Sequence, residues 1–230
     1  MQNQEQVKDI VRGKYAEIAL QDKAANGSSC CGSGCCSSEV YNLMNDDYTA
    51  VEGHIPDADL GLGCGLPTQY AKIGKGDVVI DLGSGAGNDA FIARHETGET
   101  GKVIGIDFTP AMVERARHNN KVNGFDNVEF REGDIERMPV PSNEADVVIS
   151  NCVLNLVPNK DAVFKDIFRV LKPGGHFSIS DIVLEGQLPG PIKEAAEMYA
   201  GCVSGAIQKQ DYLQLIRANG FQNIQVKKAN

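Results

Sequence analysis

Seven cysteines run through this 230-residue sequence, and four of them fall in one short segment, Cys30-Cys31-Gly32-Ser33-Gly34-Cys35-Cys36. The other three, Cys64, Cys152 and Cys202, stand alone. Thiolates are soft ligands that select zinc, copper(I), iron–sulfur clusters and, by the same softness, trivalent arsenic or antimony. A structural zinc site asks for C-x₂₋₄-C pairs or H-x₃₋₅-H spacing. The nearest candidate pair is Cys31 and Cys35, no second pair follows, and the histidines at 54, 95, 118 and 176 are dispersed. A zinc fold is therefore disfavoured, and the histidines read as surface or satisfied core rather than as bases or ligands.

The second feature with chemical content is Val78-Val-Ile-Asp81-Leu-Gly83-Ser84-Gly85-Ala-Gly87-Asn-Asp89. Three alternating glycines sit where an apolar strand should turn into a helix, and a second strand ends in Asp107, 26 residues after Asp81. In a nucleotide-binding βαβ unit the glycines admit a ligand close to the backbone, and the acid ending the second strand accepts from the ribose hydroxyls. A dinucleotide site would use G-x-G-x-x-G to hold a pyrophosphate. Here the spacing is G-x-G-x-G, and Asp81 and Asp89 would repel a pyrophosphate but attract a sulfonium that carries an amino group. That favours S-adenosylmethionine over a nicotinamide dinucleotide. Gly133-Asp134-Ile135 adds an acid able to accept from the adenine amino group, with Ile135 and Met112 against the ring faces. Helix packing is an equal reading for Met112.

These residues need a scaffold, and the pattern supplies one. From residue 77, short apolar runs alternate with helical stretches, as in a parallel sheet covered on both faces. The predicted strands are Val78–Leu82, Val103–Asp107, Val128–Glu132, Asp146–Ser150, Phe177–Asp181 and Ile224–Lys227. Helices are expected near Asp89–Arg94, Pro110–Asn123, Lys160–Leu171, Pro191–Ala200 and Lys209–Asn219. Val163, Ile167, Val170 and Leu171 mark one helix face, with Lys165, Asp166 and Arg169 opposite. The expected fold is α/β, Rossmann-like, with residues 73–230 as the cofactor-binding domain. Residues 1–72 form an N-terminal helix (Gln6–Gln21), a Cys-rich loop and a cap. Cys152 then falls just beyond a strand at the carboxyl edge of the sheet, facing the cofactor cleft. Cys202 and Cys64 lie in glycine-flanked turns. Singly, each is more often a small buried hydrophobe than a ligand, whereas for three that could converge on one cleft the two readings are about even.

Composition narrows the function. Acidic side chains number 31 against 22 basic, a net charge of −9, which argues against a surface built for nucleic acid or anionic lipid. The opening MQNQEQVKDIVRGK lacks the apolar run of a signal peptide, and no stretch approaches a membrane span. The expectation is a cytoplasmic protein whose thiols are kept reduced.

Several segments resemble the arsenite methyltransferase family over about residues 5–228: Asp81-Leu-Gly-Ser-Gly-Ala-Gly87, Gly105-Ile-Asp-Phe-Thr109, Ser150-Asn-Cys-Val-Leu-Asn-Leu-Val-Pro158, Val170-Leu-Lys-Pro-Gly-Gly175, Gly61-Leu-Gly-Cys-Gly65 and Gly201-Cys-Val-Ser-Gly205. The glycine loop and Leu-Lys-Pro-Gly-Gly are shared with many class I methyltransferases, whereas the two Cys-containing segments at 150–158 and 201–205 are specific. The resemblance implies that Cys152 and Cys202 bind arsenic(III) and that Cys64 closes or completes the site. Cys35 or Cys36 is similar to a fourth family cysteine that partners Cys64 in a disulfide relay, and the two adjacent pairs leave that assignment open. It also implies a cofactor site of Asp81, Gly83, Ser84, Gly85, Gly87, Asp89, Asp107, Phe108, Met112, Asp134, Ile135 and Asn151. The implied reactants are S-adenosylmethionine, arsenite or its thiol complexes, and a thiol reductant such as glutathione or thioredoxin, used by a monomer. One departure is expected: the family's seventh strand and C-terminal region are missing after the sixth predicted strand. Two alternatives stay open, a class I methyltransferase acting on another small molecule and a metalloid-binding protein without activity.

Overall fold

The computed structural model describes residues 4–21, 48–63, 65–186 and 205–227. In chain order the elements are α1 (Gln4–Ala19), α2 (Pro67–Ala71), β1 (Val78–Leu82), α3 (Asn88–Thr97), β2 (Lys102–Asp107), α4 (Pro110–Asn123), β3 (Val128–Glu132), β4 (Ala145–Asn151), α5 (Lys160–Val170), β5 (Leu171–Ser180) and α6 (Lys209–Ala218), with short 3₁₀ turns at Pro56–Ala58, Ile135–Arg137 and Leu154–Leu156. The five strands form one sheet in the order β3-β2-β1-β4-β5, and every pair is parallel. This is the fold of class I methyltransferases.

The central strands β1, β2 and β4 are largely apolar and buried because both faces are covered, whereas β3 at the sheet edge alternates buried and exposed residues. In β1, Val79 packs into a cluster with Phe91, Val113 and Ala116 of α3 and α4. Ile80 and Leu82 join the opposite cluster, with Phe164 and Ile167 of α5 and Tyr212 and Ile216 of α6. Phe164 meets Tyr212 edge to face at 5.6 Å between centroids, so α5 and α6 share one aromatic contact over the β4–β5 half of the sheet.

Helix boundaries follow their caps. Pro110 opens α4 at its first position and Gly124 closes it in the left-handed conformation. The Asn159 side chain accepts from the Ala162 N–H at the start of α5. The C-terminus of α1 has no basic residue of its own in the last turn. Arg115 of α4 supplies the cation, donating to the carbonyls of Ala19 and Gln21.

Two expectations need correction. Ile224–Lys227 is not a strand: the segment is irregular and pairs with no neighbour among the described residues. Ile224 instead packs on the α5–α6 cluster, so side-chain burial rather than a ladder holds the segment. β5 begins six residues earlier than expected, at Leu171, because a register shift between Ala145 and Val147 lets Lys172 to Gly175 bulge before pairing resumes at His176. The expected helix at Pro191–Ala200 and the Cys-rich loop lie outside the described residues.

Sequence order along the sheet reverses between β1 and β4. Open α/β sheets bind their ligands beyond the carboxyl ends of the strands at such a reversal, and a cleft lies there.

Candidate active site

The cleft is built on the turn from β1 into α3. Gly83 has φ +64, and a Cβ there would come within 2.4 Å of Val153, so only glycine lets the loop pass that close. The Ser84 N–H donates to the Ile106 carbonyl at 3.0 Å, and the Gly87 N–H donates to the Ser84 carbonyl at 2.8 Å. Beside the loop, Asp107 accepts from the N–H of Gly85 at 3.0 Å and of Thr109 at 2.8 Å, tying the end of β2 to the glycine turn.

Four carboxylates converge on this end of the cleft. Asp81, Asp89, Asp107 and Asp59 are each less than 9% exposed. Burial, then the charges of Asp89 and Asp107, push the Asp81 carboxyl well above its ordinary range. Its Oδ2 is buried without a hydrogen-bond partner among the described residues. Burial lifts Asp89 to about 6 despite hydrogen bonds from Asn151 and Tyr48, and burial raises Asp107 against the backbone donors of Thr109 and Gly85. An unpartnered buried oxygen among like charges is stabilised by a cation with N–H donors. The donor set therefore fits the amino-bearing sulfonium that the acidic loop suggests.

Asn151, the last residue of β4, ties these acids to the cap. Its Nδ2 lies 2.9 Å from Asp89 Oδ2, 2.8 Å from the Gly65 carbonyl and 2.5 Å from the Tyr48 hydroxyl. Tyr48 is 1% exposed and donates to the Gly65 carbonyl at 2.7 Å. Its own pKa is driven far up by burial and by Asp89, so it stays a neutral donor. The next residue, Cys152, turns into the left-handed region at φ +57, which a side chain adopts only when its surroundings enforce it. Here the Cys152 N–H donates to the Ser180 carbonyl at 2.7 Å. The side chain packs with Val11 and Leu156, flanked by Tyr15, Phe108 and Ile182. Cys152 is disulfide-bonded, a departure from the free thiol expected of a reducing compartment.

Of the expected cofactor residues, Asp81, Gly83, Ser84, Gly85, Asp89, Asp107, Phe108, Met112, Asp134, Ile135 and Asn151 line this one cleft together with Cys152. Gly87 does not line it. With φ +100 it starts α3, and a Cβ there would lie 2.8 Å from both Phe130 and Phe91, so its lack of a side chain serves packing beneath the loop. Asp134 lines the cleft but is already engaged, its Oδ2 2.6 Å from Lys8 Nζ. Cys35, Cys36, Cys64 and Cys202 lie outside the described residues. Among the described residues no group of three His, Cys, Asp or Glu side chains is arranged to hold a metal ion. His54 pairs with the buried Asp59 at 3.2 Å, a satisfied core histidine as expected. Sequence reasoning passed over Lys8, Tyr15, Tyr48 and Asp59, all of which line the cleft. Only Tyr48 left a trace, as an aromatic in an otherwise polar run.

Residues 73–220 match the family model described as a methyltransferase domain. The chain belongs to that methyltransferase family. The chain is similar to an arsenite methyltransferase of Halobacterium salinarum, 41% identical over 96% of this chain and 59% of that one. An arsenite methyltransferase of Aquipseudomonas alcaligenes is 30% identical over 93% of this chain and 61% of that one. Among solved structures, an arsenic(III) S-adenosylmethionine methyltransferase from Chlamydomonas reinhardtii aligns with a TM-score of 0.63 at 35% identity, covering 76% of this chain and 59% of that one. The chain thus spans about three fifths of the length of these relatives.

Proposed function

We propose that this methyltransferase transfers methyl groups from S-adenosylmethionine to trivalent arsenic held by cysteine thiolates. The observation that carries the reading is the adjacency of Asn151 and Cys152: the first bonds a buried acid of the cationic-ligand pocket, and the second lines the same cleft. The names of the relatives supply the substrate.

Asp81 and Asp89 would hold an ammonium group, Asp107 the ribose hydroxyls, and Ile135 and Met112 the faces of the adenine. When bound, S-adenosylmethionine supplies an electrophilic methyl group on a sulfonium. The protein's own contribution is position and environment. Asn151 and Tyr48 fix Asp89, and Val11, Leu156 and Tyr15 shield Cys152, which is 5% exposed, from water. Arsenite is a neutral hydroxide or thiol complex whose ligands thiolates displace, with Cys202 and Cys64 as the further ligands and Cys35 or Cys36 as the relay cysteine. No base is needed at arsenic, whose lone pair is the nucleophile; only the thiols must lose protons.

Cys152 must first be released from its disulfide. Two reductant thiols deliver two electrons, giving two cysteine thiols and one oxidised disulfide of the reductant. Glutathione or thioredoxin would serve, and on this reading the protein works as a cytoplasmic monomer.

The test is methyl transfer from labelled S-adenosylmethionine to arsenite by the reduced 230-residue protein and by Cys152→Ser. The wild type should produce labelled methylarsenic species, and the variant should bind S-adenosylhomocysteine yet transfer nothing. A variant working near the wild-type rate, or arsenite that fails to protect Cys152 from thiol titration, refutes the proposal.

A further inference from the structure

We propose that Lys8 of α1 is a positioning residue for adenine recognition: its ammonium fixes the Asp134 carboxylate so that the cleft accepts a purine bearing an exocyclic amino group and rejects one bearing a carbonyl there. The inference rests on the S-adenosylmethionine reading and adds to it a residue from outside the sheet domain.

Lys8 Nζ lies 2.6 Å from Asp134 Oδ2 and 2.8 Å from Glu136 Oε2. The other Asp134 oxygen, Oδ1, accepts from the Glu136 N–H at 2.9 Å. Both oxygens are therefore aimed by the protein, although the Asp134 side chain is 42% exposed. A carboxylate oxygen has two lone pairs, so each retains acceptor capacity for a ligand donor. Glu136 is itself anchored, its Oε1 accepting from the Asn159 N–H at 3.1 Å at the start of α5. The ammonium thus joins the carboxyl edge of β3, the 3₁₀ turn after it and α1 in one ionic cluster. Without it, Asp134 and Glu136 face each other as like charges, and the more exposed Asp134 is free to turn toward water.

Charge along the cleft supports the assignment. Among the described residues lining it, Lys8 is the only Lys or Arg. It offsets one of the two negative charges of Asp134 and Glu136 beside Ile135, where an uncharged ring fits. Asp81, Asp89 and Asp107 line the same cleft and keep their negative potential for a cation. An adenine amino group donates to a fixed carboxylate, whereas the carbonyl of hypoxanthine can only accept and so faces it as a second acceptor. A site that reads a donor in this way disfavours the analogue lacking it.

The docking of α1 does not depend on Lys8. Val11 is 1% exposed and Ile18 and Ala19 are each 6% exposed, packed against Leu156 and Met112 respectively. Lys8→Met keeps the aliphatic stem and should fold; Lys8→Arg keeps the charge and both ionic contacts.

Titration calorimetry with S-adenosylhomocysteine and S-inosylhomocysteine, on wild type and both variants, tests the proposal. A hydrogen bond to a charged partner predicts that the wild type prefers the adenine ligand by about 10- to 100-fold. In Lys8→Met the preference should fall to within about 3-fold, and in Lys8→Arg it should remain, with thermal melting checking that each variant is folded. Equal weakening of both ligands in Lys8→Met would make Lys8 a mere helix anchor and overturns the proposal, as does an unchanged preference. A wild type that binds neither ligand overturns the cofactor reading with it, whereas adenine binding with a Lys8-independent preference overturns this inference alone.

Discussion

Asp89→Asn should make the ligand-free protein more stable above neutral pH while loosening its hold on a cationic ligand. Burial places the Asp89 pKa at about 6, against 3.8 in the unfolded chain. A carboxyl group with a raised folded pKa favours the native state while protonated, and that advantage disappears as pH rises from about 4 through about 6. At about 1.36 kcal/mol per tenfold change in proton affinity, ionising Asp89 in place costs the native state about 3 kcal/mol at pH 8 and about 1.5 kcal/mol at pH 5. Asparagine removes the charge and can still accept from Asn151 Nδ2 while donating to the Tyr48 oxygen, so the local bonds survive. It also relieves Asp81, whose protonation is favoured partly by Asp89. At about 2–4 °C per kcal/mol for a chain of this size, calorimetry should show Asp89→Asn melting about 6–12 °C above wild type at pH 8 and about half that at pH 5. The dissociation constant for S-adenosylhomocysteine, which carries the amino group, should rise at least about 10-fold. A gain that is equal at the two pH values, or a variant less stable than wild type at pH 8, refutes the electrostatic account of this pocket.

Gly87→Ala should lower stability by about 2–4 kcal/mol in urea unfolding, because the new methyl group meets Phe130 and Phe91 at a positive φ. Gly174→Ala, at φ +88 with nothing within 4 Å, should lose only about 1 kcal/mol. Tyr212→Phe removes the donor 2.6 Å from Asp181, whose pKa burial lifts to about 7. The loss should reach about 1–3 kcal/mol at pH 8 and be smaller at pH 5, where Asp181 is protonated; equal losses would count against a buried carboxylate there. Methyl transfer should require prior reduction of the protein and quicken between about pH 7 and pH 9 as the thiols ionise, and a flat rate profile would remove thiolates from the slow step.

Most of the scaffold was legible because its signals are local. Val78–Leu82 and Pro110–Asn123 fall at their expected positions, one read from an unbroken apolar run and the other from a proline start and a glycine stop. Ile224–Lys227 misled for the same reason: alternating apolar residues announce burial, and Ile224 is packed, but a strand needs a neighbour that periodicity does not reveal. Asp81 and Asp107 were readable from a spacing that a βαβ unit enforces. Lys8 was not, because its partners lie 126 and 128 residues away and a lysine on an amphipathic helix looks like any solvated charge. The oxidised state of Cys152 was equally hidden, since a thiol's partner is fixed by three-dimensional approach rather than by spacing.

The junction between β4 and the loop that follows has a consequence for how such a site can change. Asn151 and Cys152 are consecutive, so their α-carbons are separated by one virtual bond of about 3.8 Å. The proposed anchor for the methyl donor and the proposed anchor for the acceptor are thus joined by a single covalent step rather than by the folding of separate elements. Thermal motion of the cap or of α1 can open the cleft without altering that spacing. Insertion of even one residue at the junction would swing one of the two side chains to the other face of the sheet. Variation in what the cleft accepts therefore has to come from the helix and loops laid over the junction, and the junction itself is the part with the least freedom to drift.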